Sequence, residues 1–213
     1  MTHDDVFFHI LNTLQPVELS PELLERAYCT SYFPMADEYG NIGWHSPDPR
    51  AVFPLDQMRT PKSLRKVIES GVFSVTVDAA FMDVMRACSR RDRVTPEEVW
   101  ISDEIMDAYG ELHHRGHAHS VETWHDGRLV GGLYGVSFGG AFFGESMFSH
   151  VSNASKVAFA FLVNRLRERG YGLLDSQYAN AYTLQLGARE VSRDRYLALL
   201  ARALEQKCRF HGE

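Results

Sequence analysis

The stretch Gly131–Lys156, GGLYGVSFGGAFFGESMFSHVSNASK, alternates apolar residues with glycines before turning polar ahead of a helix start. Leu129, Leu133, Tyr134 and Val136, then Ala141, Phe142 and Phe143, read as two buried strands, with Phe138-Gly139-Gly140 as the hairpin between them. Glu145 follows at the expected end of the second strand, in aromatic and methionine-rich sequence. A carboxylate buried there costs several kcal/mol unless a partner is found. Its neighbours in sequence offer none, so a functional site is expected here.

The rest of the chain is compatible with an ordinary globular protein. It has 213 residues, 45% hydrophobic and 23% charged, enough for one or two domains with a real core. No run reaches the ~18 apolar residues of a membrane span, and no charged-then-apolar leader precedes Val6. Cys29, Cys88 and Cys208 are odd in number and widely spaced, which fits neither a disulfide framework nor a zinc pattern and suggests a reducing cytoplasm. The net charge of −6 argues against a generic nucleic-acid binder, but cations cluster at Arg59, Lys62, Arg65 and Lys66 and again at Arg86, Arg90, Arg91 and Arg93. Two readings stand: solvated helix faces, or a local phosphate-binding footing.

Residues 1–50 read as a small lobe. Ser20-Pro21-Glu22 opens a short helix, and Trp44-His45-Ser46-Pro47-Asp48-Pro49-Arg50 is a rigid segment, either punctuation or a means of presenting Trp44 and Arg50 to a ligand. Residues 51–213 read as α/β. Thr60-Pro61 starts a basic helix, Val72–Val77 is a strand, and Asp78 is expected to cap a helix carrying Phe81, Val84, Met85 and Cys88. Ser102-Asp103-Glu104 opens another helix. The run from His113 to His119 invites a metal, but it has no HExxH spacing, cysteine pair or convergent carboxylate, so no metal is expected. His113 and His114 are expected in solvent at the helix end, and His119 either in the core or supporting a site from the strand His117–Trp124. Asp126-Gly127 is a hairpin turn, Ser152 or Asn153 caps a helix through Val163, and Leu173–Gln177 is a buried strand turning polar. Asp175 and Gln177, two apart, share a face, and with Glu145 they suit the holding of an amine or a structural hydrogen-bond network.

Several long motifs occur together: Trp44–Arg50, GHAHSVE at Gly116–Glu122, VGGLYG at Val130–Gly135, GESMFS at Gly144–Ser149, NASK at Asn153–Lys156 and LGA at Leu186–Ala188. In this order they resemble the leucyl/phenylalanyl-tRNA–protein transferase family, from about Leu19 to Leu200. The resemblance implies an acyl-CoA N-acyltransferase-like (GNAT-like) domain after a small N-terminal lobe. It implies transfer of Leu or Phe, and Met less well, from aminoacyl-tRNA to the α-amine of proteins beginning with Arg or Lys, marking them for degradation. By the same resemblance Glu145, Asp175 and Gln177 are catalytic and acceptor-binding positions. Leu133, Phe142, Met147, Phe159, Leu162 and Leu174 form the donor side-chain pocket. Trp100 lies beside the terminal adenosine, and Lys62, Arg65 and Lys66 belong to the tRNA-binding region. No cofactor is implied, and a monomer is expected. The chain departs from the family pattern at Met35, where a tryptophan is usual, at Pro16–Leu19, at Tyr182, usually His, and at Gln185, usually Ser. Two alternatives stand beside it: an acetyl-CoA-dependent N-acetyltransferase, which would want a glycine-rich pyrophosphate loop where Ser152–Lys156 stands, and a non-catalytic tRNA- or N-terminus-binding module, which the presence of Glu145, Asp175 and Gln177 argues against.

Overall fold

The computed structural model describes residues 2–14, 17–37, 39–89 and 101–211. Near the N-terminus, α1 (His3–Leu11) and α2 (Pro21–Cys29) pack with a two-stranded antiparallel sheet of β1 (Phe33–Ala36) and β2 (Ile42–His45). The Ser20 hydroxyl accepts from Leu23 N at 3.1 Å, and Pro21 needs no donor at the first helical position, so α2 begins as its sequence suggests.

The main sheet comprises β3 (Arg50–Phe53), β4 (Ser74–Val77), β5 (Ala118–His125), β6 (Arg128–Phe138), β7 (Ala141–Ser149), β8 (Leu173–Gln177) and β9 (Arg189–Val191). Its order is β4-β5-β6-β7-β8-β3-β9, antiparallel except for β7 beside β8. That parallel step is made by the crossover helix α6 (Ala154–Glu168). The remaining helices are α3 (Lys62–Glu69), α4 (Phe81–Cys88), α5 (Asp103–His114), α7 (Ala181–Leu186) and α8 (Arg193–Leu204). The result is the mixed α/β class expected from the sequence. Among the described residues no helix is long and apolar enough to cross a membrane.

Strand alternation divides the core between the two faces of this sheet. Leu133, Phe142 and Leu174 pack with Ala158, Phe159 and Leu162 of α6. Tyr134, Phe143 and Leu173 face the other way, with Tyr28 of α2, Met85 of α4 and Tyr109 of α5. Residues of α1 and α2 contribute to this second core, so the N-terminal segment is packed onto the sheet. The hairpins match their turn residues: Asp126 and Gly127 both have positive φ, 51° and 71°, as a two-residue turn of this kind demands. Asp78 differs from expectation. Ala80 occupies the N-cap of α4 with no side-chain bond, because the Asp78 carboxylate reaches across to β5.

Candidate active site

Strand β7 does not stop at Glu145 but runs on to Ser149. Glu145 stands instead at a break in register: Gly144 pairs with Gly135 and Ser146 with Tyr134, leaving Glu145 unpaired on the ladder. Such a bulge kinks the strand and turns the extra side chain out of the regular alternation. Gly135 makes the break possible, since a Cβ there would meet Phe143 O at 2.3 Å. Across the parallel pair, the register with β8 ends at Phe143 and Asp175. Beyond this point the two strands border a cavity of about 380 Å³ lined by Glu145 and Gln177.

The partners that Glu145 lacks in its own sequence come from distant segments. Tyr28 OH donates to Glu145 Oε1 at 2.7 Å and Gln177 Nε2 donates to the same oxygen at 2.8 Å. Tyr109 OH lies 3.5 Å from Oε2 and is hydrogen-bonded to Tyr28 OH. Burial pushes the Glu145 carboxyl up to about 8; the hydrogen bond from Tyr28 opposes the rise, the negative charge of Asp175 adds to it, and Arg50 and Gln177 oppose it. As a residue Glu145 is only half-buried, open toward the cavity. Burial, and then the Glu145 charge, raise Tyr28 and Tyr109 well above the usual phenol range, so both remain donors. The hydroxyl of Tyr134, at the cavity wall, is buried and has no hydrogen-bond partner among the described residues.

Asp175 is fully buried and its carboxylate is saturated. Arg50 Nη2 donates at 2.6 Å and Nε at 3.0 Å, Tyr196 OH at 2.6 Å and the backbone N–H of Gln177 at 2.8 Å. Four donors fill the roughly four lone-pair sites that a carboxylate offers. Arg50, 1% exposed, places its remaining N–H on Ser31 O at 3.0 Å and lies over the rings of Phe33 and Tyr196. Burial works against its charge, but the Asp175 carboxylate prevails and holds the guanidinium above its ordinary value. Neither Trp44 nor Arg50 is presented to a ligand, then; both are buried, and Arg50 is the counter-ion of Asp175. Strand β8 also carries a register shift: Val52 pairs with Asp175 and Ala51 with Gln177. Gln177 closes this irregularity with φ 62°, which turns its amide toward Glu145.

The apolar wall of the cavity contains Leu133, Met147, Phe159, Leu162 and Leu174, five of the six residues assigned to the donor pocket by resemblance. Phe142 lies behind them, fully buried and stacked on Phe210. Met35 and Tyr182, two of the departures from the family pattern, also line the cavity, and Tyr182 OH lies 3.0 Å from Ser155 Oγ. A larger cavity, about 600 Å³, adjoins it and shares Phe159 and Tyr182; Arg59, Lys156, Arg167 and Arg189 are among its lining. On α3, Lys62, Arg65 and Lys66 are exposed. Trp100 lies outside the described residues, as do Arg90, Arg91 and Arg93. Of the histidine run, His119 is in the core as expected, whereas His113 is half-buried, stacked on Phe81 at 4.2 Å, and not free in solvent.

Sequence reasoning missed Tyr28, Tyr109 and Tyr196. The two from α2 and α5 were legible only as apolar positions of amphipathic helices, where a phenol and a phenyl ring serve packing equally well.

The family model for leucyl/phenylalanyl-tRNA protein transferase matches residues 52–201, and that for the N-terminal domain of the same family matches residues 17–48. A leucyl/phenylalanyl-tRNA–protein transferase of Rhizorhabdus wittichii is 53% identical over 188 residues, covering 87% of this chain and 75% of the relative. One from Gloeobacter violaceus is 51% identical over 195 residues, covering 91% and 98%. Among solved structures, a GCN5-related N-acetyltransferase-like protein from Streptococcus suis overlaps with a TM-score of 0.39 at 15% identity, over 80% of this chain and 64% of that one. The two family-model matches and the roughly half-identical relatives leave one assignment: the chain belongs to the leucyl/phenylalanyl-tRNA–protein transferase family.

Proposed function

We propose that this chain transfers leucine or phenylalanine, and methionine less well, from aminoacyl-tRNA to the N-terminal α-amine of proteins that begin with arginine or lysine, acting as a cytoplasmic monomer that tags them for degradation. The division into a lobe over residues 1–50 and a catalytic domain over 51–213 belongs to the same reading, supported by separate family matches to residues 17–48 and 52–201. The observation that carries it is Glu145: a carboxylate on a strand bulge, raised by burial, opening on an apolar cavity.

An aminoacyl ester is already activated, so the protein must orient it, remove protons from the attacking amine and stabilise the charge that develops. An α-ammonium titrates at about 8. A carboxyl held at about 8 is matched to it, and matched values favour proton transfer at neutral pH. Glu145 is therefore the base in this reading through its ionised form, which the acceptor's cationic groups favour and which in turn attracts the acceptor's basic side chain. Gln177, bonded to Glu145, orients the amine. Asp175 is a positioning residue: four donors, from Arg50, Tyr196 and the backbone of Gln177, already occupy its carboxylate, and the bond from Gln177 N holds the turn that aims the amide. Leu133, Met147, Phe159, Leu162 and Leu174 take the donor side chain, with Phe142 supporting them. Burial against this wall favours apolar side chains and penalises polar ones. Lys62, Arg65, Lys66 and Trp100 meet the tRNA, a local cationic footing on an acidic protein.

The test is transfer of labelled Leu, Phe and Met from charged tRNA to peptides that begin with Arg, Lys or an uncharged residue, with acetyl-CoA as a parallel donor. Transfer from tRNA to the Arg and Lys peptides is expected. Transfer only from acetyl-CoA, or equal use of the uncharged peptide, would overturn the reading.

A further inference from the structure

In the strand around His119 the nearest carboxylate, Glu122, falls on the opposite face; the fold brings another. Asp78 follows β4 with φ 55°, and its backbone N–H donates to Ser120 O at 3.1 Å. Its Oδ1 accepts from Ser120 N at 2.6 Å, which leaves Oδ2 aimed at two imidazoles. His119 Nδ1 lies 2.7 Å from that oxygen, and His211 Nε2 of the C-terminal segment meets the same atom. The three donor atoms lie within 4.8 Å of one another. Two of the three side chains are preset: His119 is 5% exposed and Asp78 11%. The His119 ring is stacked on Phe210 at 4.3 Å. Phe210 is itself fixed, 2% exposed, with its carbonyl accepting from Arg165 Nε at 3.0 Å and Nη2 at 2.5 Å. His211, 52% exposed, follows directly and leaves the site open to solvent on one side.

We propose that Asp78, His119 and His211 form a binding site for a divalent transition metal, with zinc as the best fit, closed by water in a fourth position. Two imidazole nitrogens and one carboxylate oxygen are borderline donors that suit tetrahedral Zn²⁺, with bonds of about 2.0–2.2 Å. Such bonds set neighbouring donors about 3.3 Å apart, so the pairs now in hydrogen-bond contact must open slightly. His211, being exposed, can open its contact with Asp78 Oδ2, and the His119–Asp78 pair must widen from 2.7 Å. The bound ion would tie the C-terminal segment to the β4–β5 edge. It would thereby hold Phe210 against Phe142, behind the wall of the main cavity. The site is separate from Glu145 and plays no part in the transfer chemistry.

Zinc binding to the full chain, stripped of metal and titrated with ZnCl₂ by calorimetry, tests this, together with thermal unfolding and the visible spectrum of the Co²⁺ form. One equivalent is expected, with tetrahedral cobalt absorption and a rise in Tm with zinc, since a ligand of the folded state stabilises by mass action. His211→Ala, an exposed change, should weaken affinity at least tenfold and abolish the rise in Tm, and Asp78→Asn should do the same. His114→Ala, in the nearby histidine run, should leave both intact. Affinity unchanged in His211→Ala, or lost in His114→Ala, would overturn the proposal, as would octahedral cobalt or less than half an equivalent bound.

Discussion

Replacing Arg50 with Met tests the arrangement beneath the site, because it removes charge while keeping length. Arg50 and Asp175 are 1% and 0% exposed, joined by Nη2 at 2.6 Å and Nε at 3.0 Å. Removing one partner of a buried pair leaves the other charge uncompensated and costs about 3–5 kcal/mol. Ser31 O loses its bond as well, about 1–3 kcal/mol for an unsatisfied buried acceptor. The two losses overlap, so Arg50→Met should cost about 4 kcal/mol, a large share of the roughly 5–15 kcal/mol that holds a domain folded. Asp175→Asn alone should be similarly harmful, leaving a buried guanidinium. The double variant keeps an amide oxygen for Gln177 N, turns its NH2 toward Tyr196 OH as the acceptor and buries no charge, so it should recover about 2–3 kcal/mol relative to the sum of the singles. Urea unfolding of the wild type, both singles and the double, with unchanged slopes, measures this coupling. Below the transition, Arg50→Met should lower the transfer rate with little change in KM for the charged tRNA, because the turn presenting Gln177 loosens. A loss below about 1 kcal/mol, or strictly additive single effects, would refute the reasoning.

Glu145→Gln should alter how stability depends on pH. The unfolded carboxyl gives up its proton near 4.5 and the folded one near 8, so across that window the folded state holds the extra proton. Stability from this group is fully present below the lower value and is lost as pH rises toward the upper one, by at most ~1.4 kcal/mol per pH unit. The Gln variant should lack that slope, and parallel profiles in chemical denaturation would contradict the assignment. Met147→Trp should fill part of the donor cavity and reject Phe before Leu in competition with mixed charged tRNAs; an unaltered Phe:Leu ratio would remove Met147 from the pocket. For the metal site, the loss of a zinc-dependent Tm rise in His211→Ala is the expected outcome.

Much of the frame could be read in advance because local chemistry decides it. The Asp126-Gly127 and Gly139-Gly140 turns, the Ser20-Pro21 helix start and the apolar alternation through Phe142 and Phe143 each act over a few residues. Glu145 stood out for the same reason, as a charge among aromatics with no neighbour to pair with. What completes it was out of reach, since Tyr28, Tyr109 and Gln177 lie 117, 36 and 32 residues away. The register break at Gly135 was equally hidden, because a β-bulge depends on two strands at once and the sequence of one reads as continuous. Arg50 was legible only as the end of a rigid segment; its burial follows from pairing with a carboxylate 125 residues on. Asp78 looked like a helix cap, as an aspartate three residues before an apolar helix should, and was drawn away by the stronger pull of a strand amide and two imidazoles.

The role of Glu145 as base is tested most directly by single-turnover transfer of leucine from charged tRNA to an Arg-initiated peptide, measured from pH 6 to pH 9 for wild type and Glu145→Gln. The wild-type rate should climb with pH through about 8, as the carboxyl ionises. Glu145→Gln should be slower by about 10²–10⁴-fold, while binding charged tRNA as before and remaining folded. A Gln variant that transfers within a few-fold of wild type at every pH would show that the proton leaves by another route.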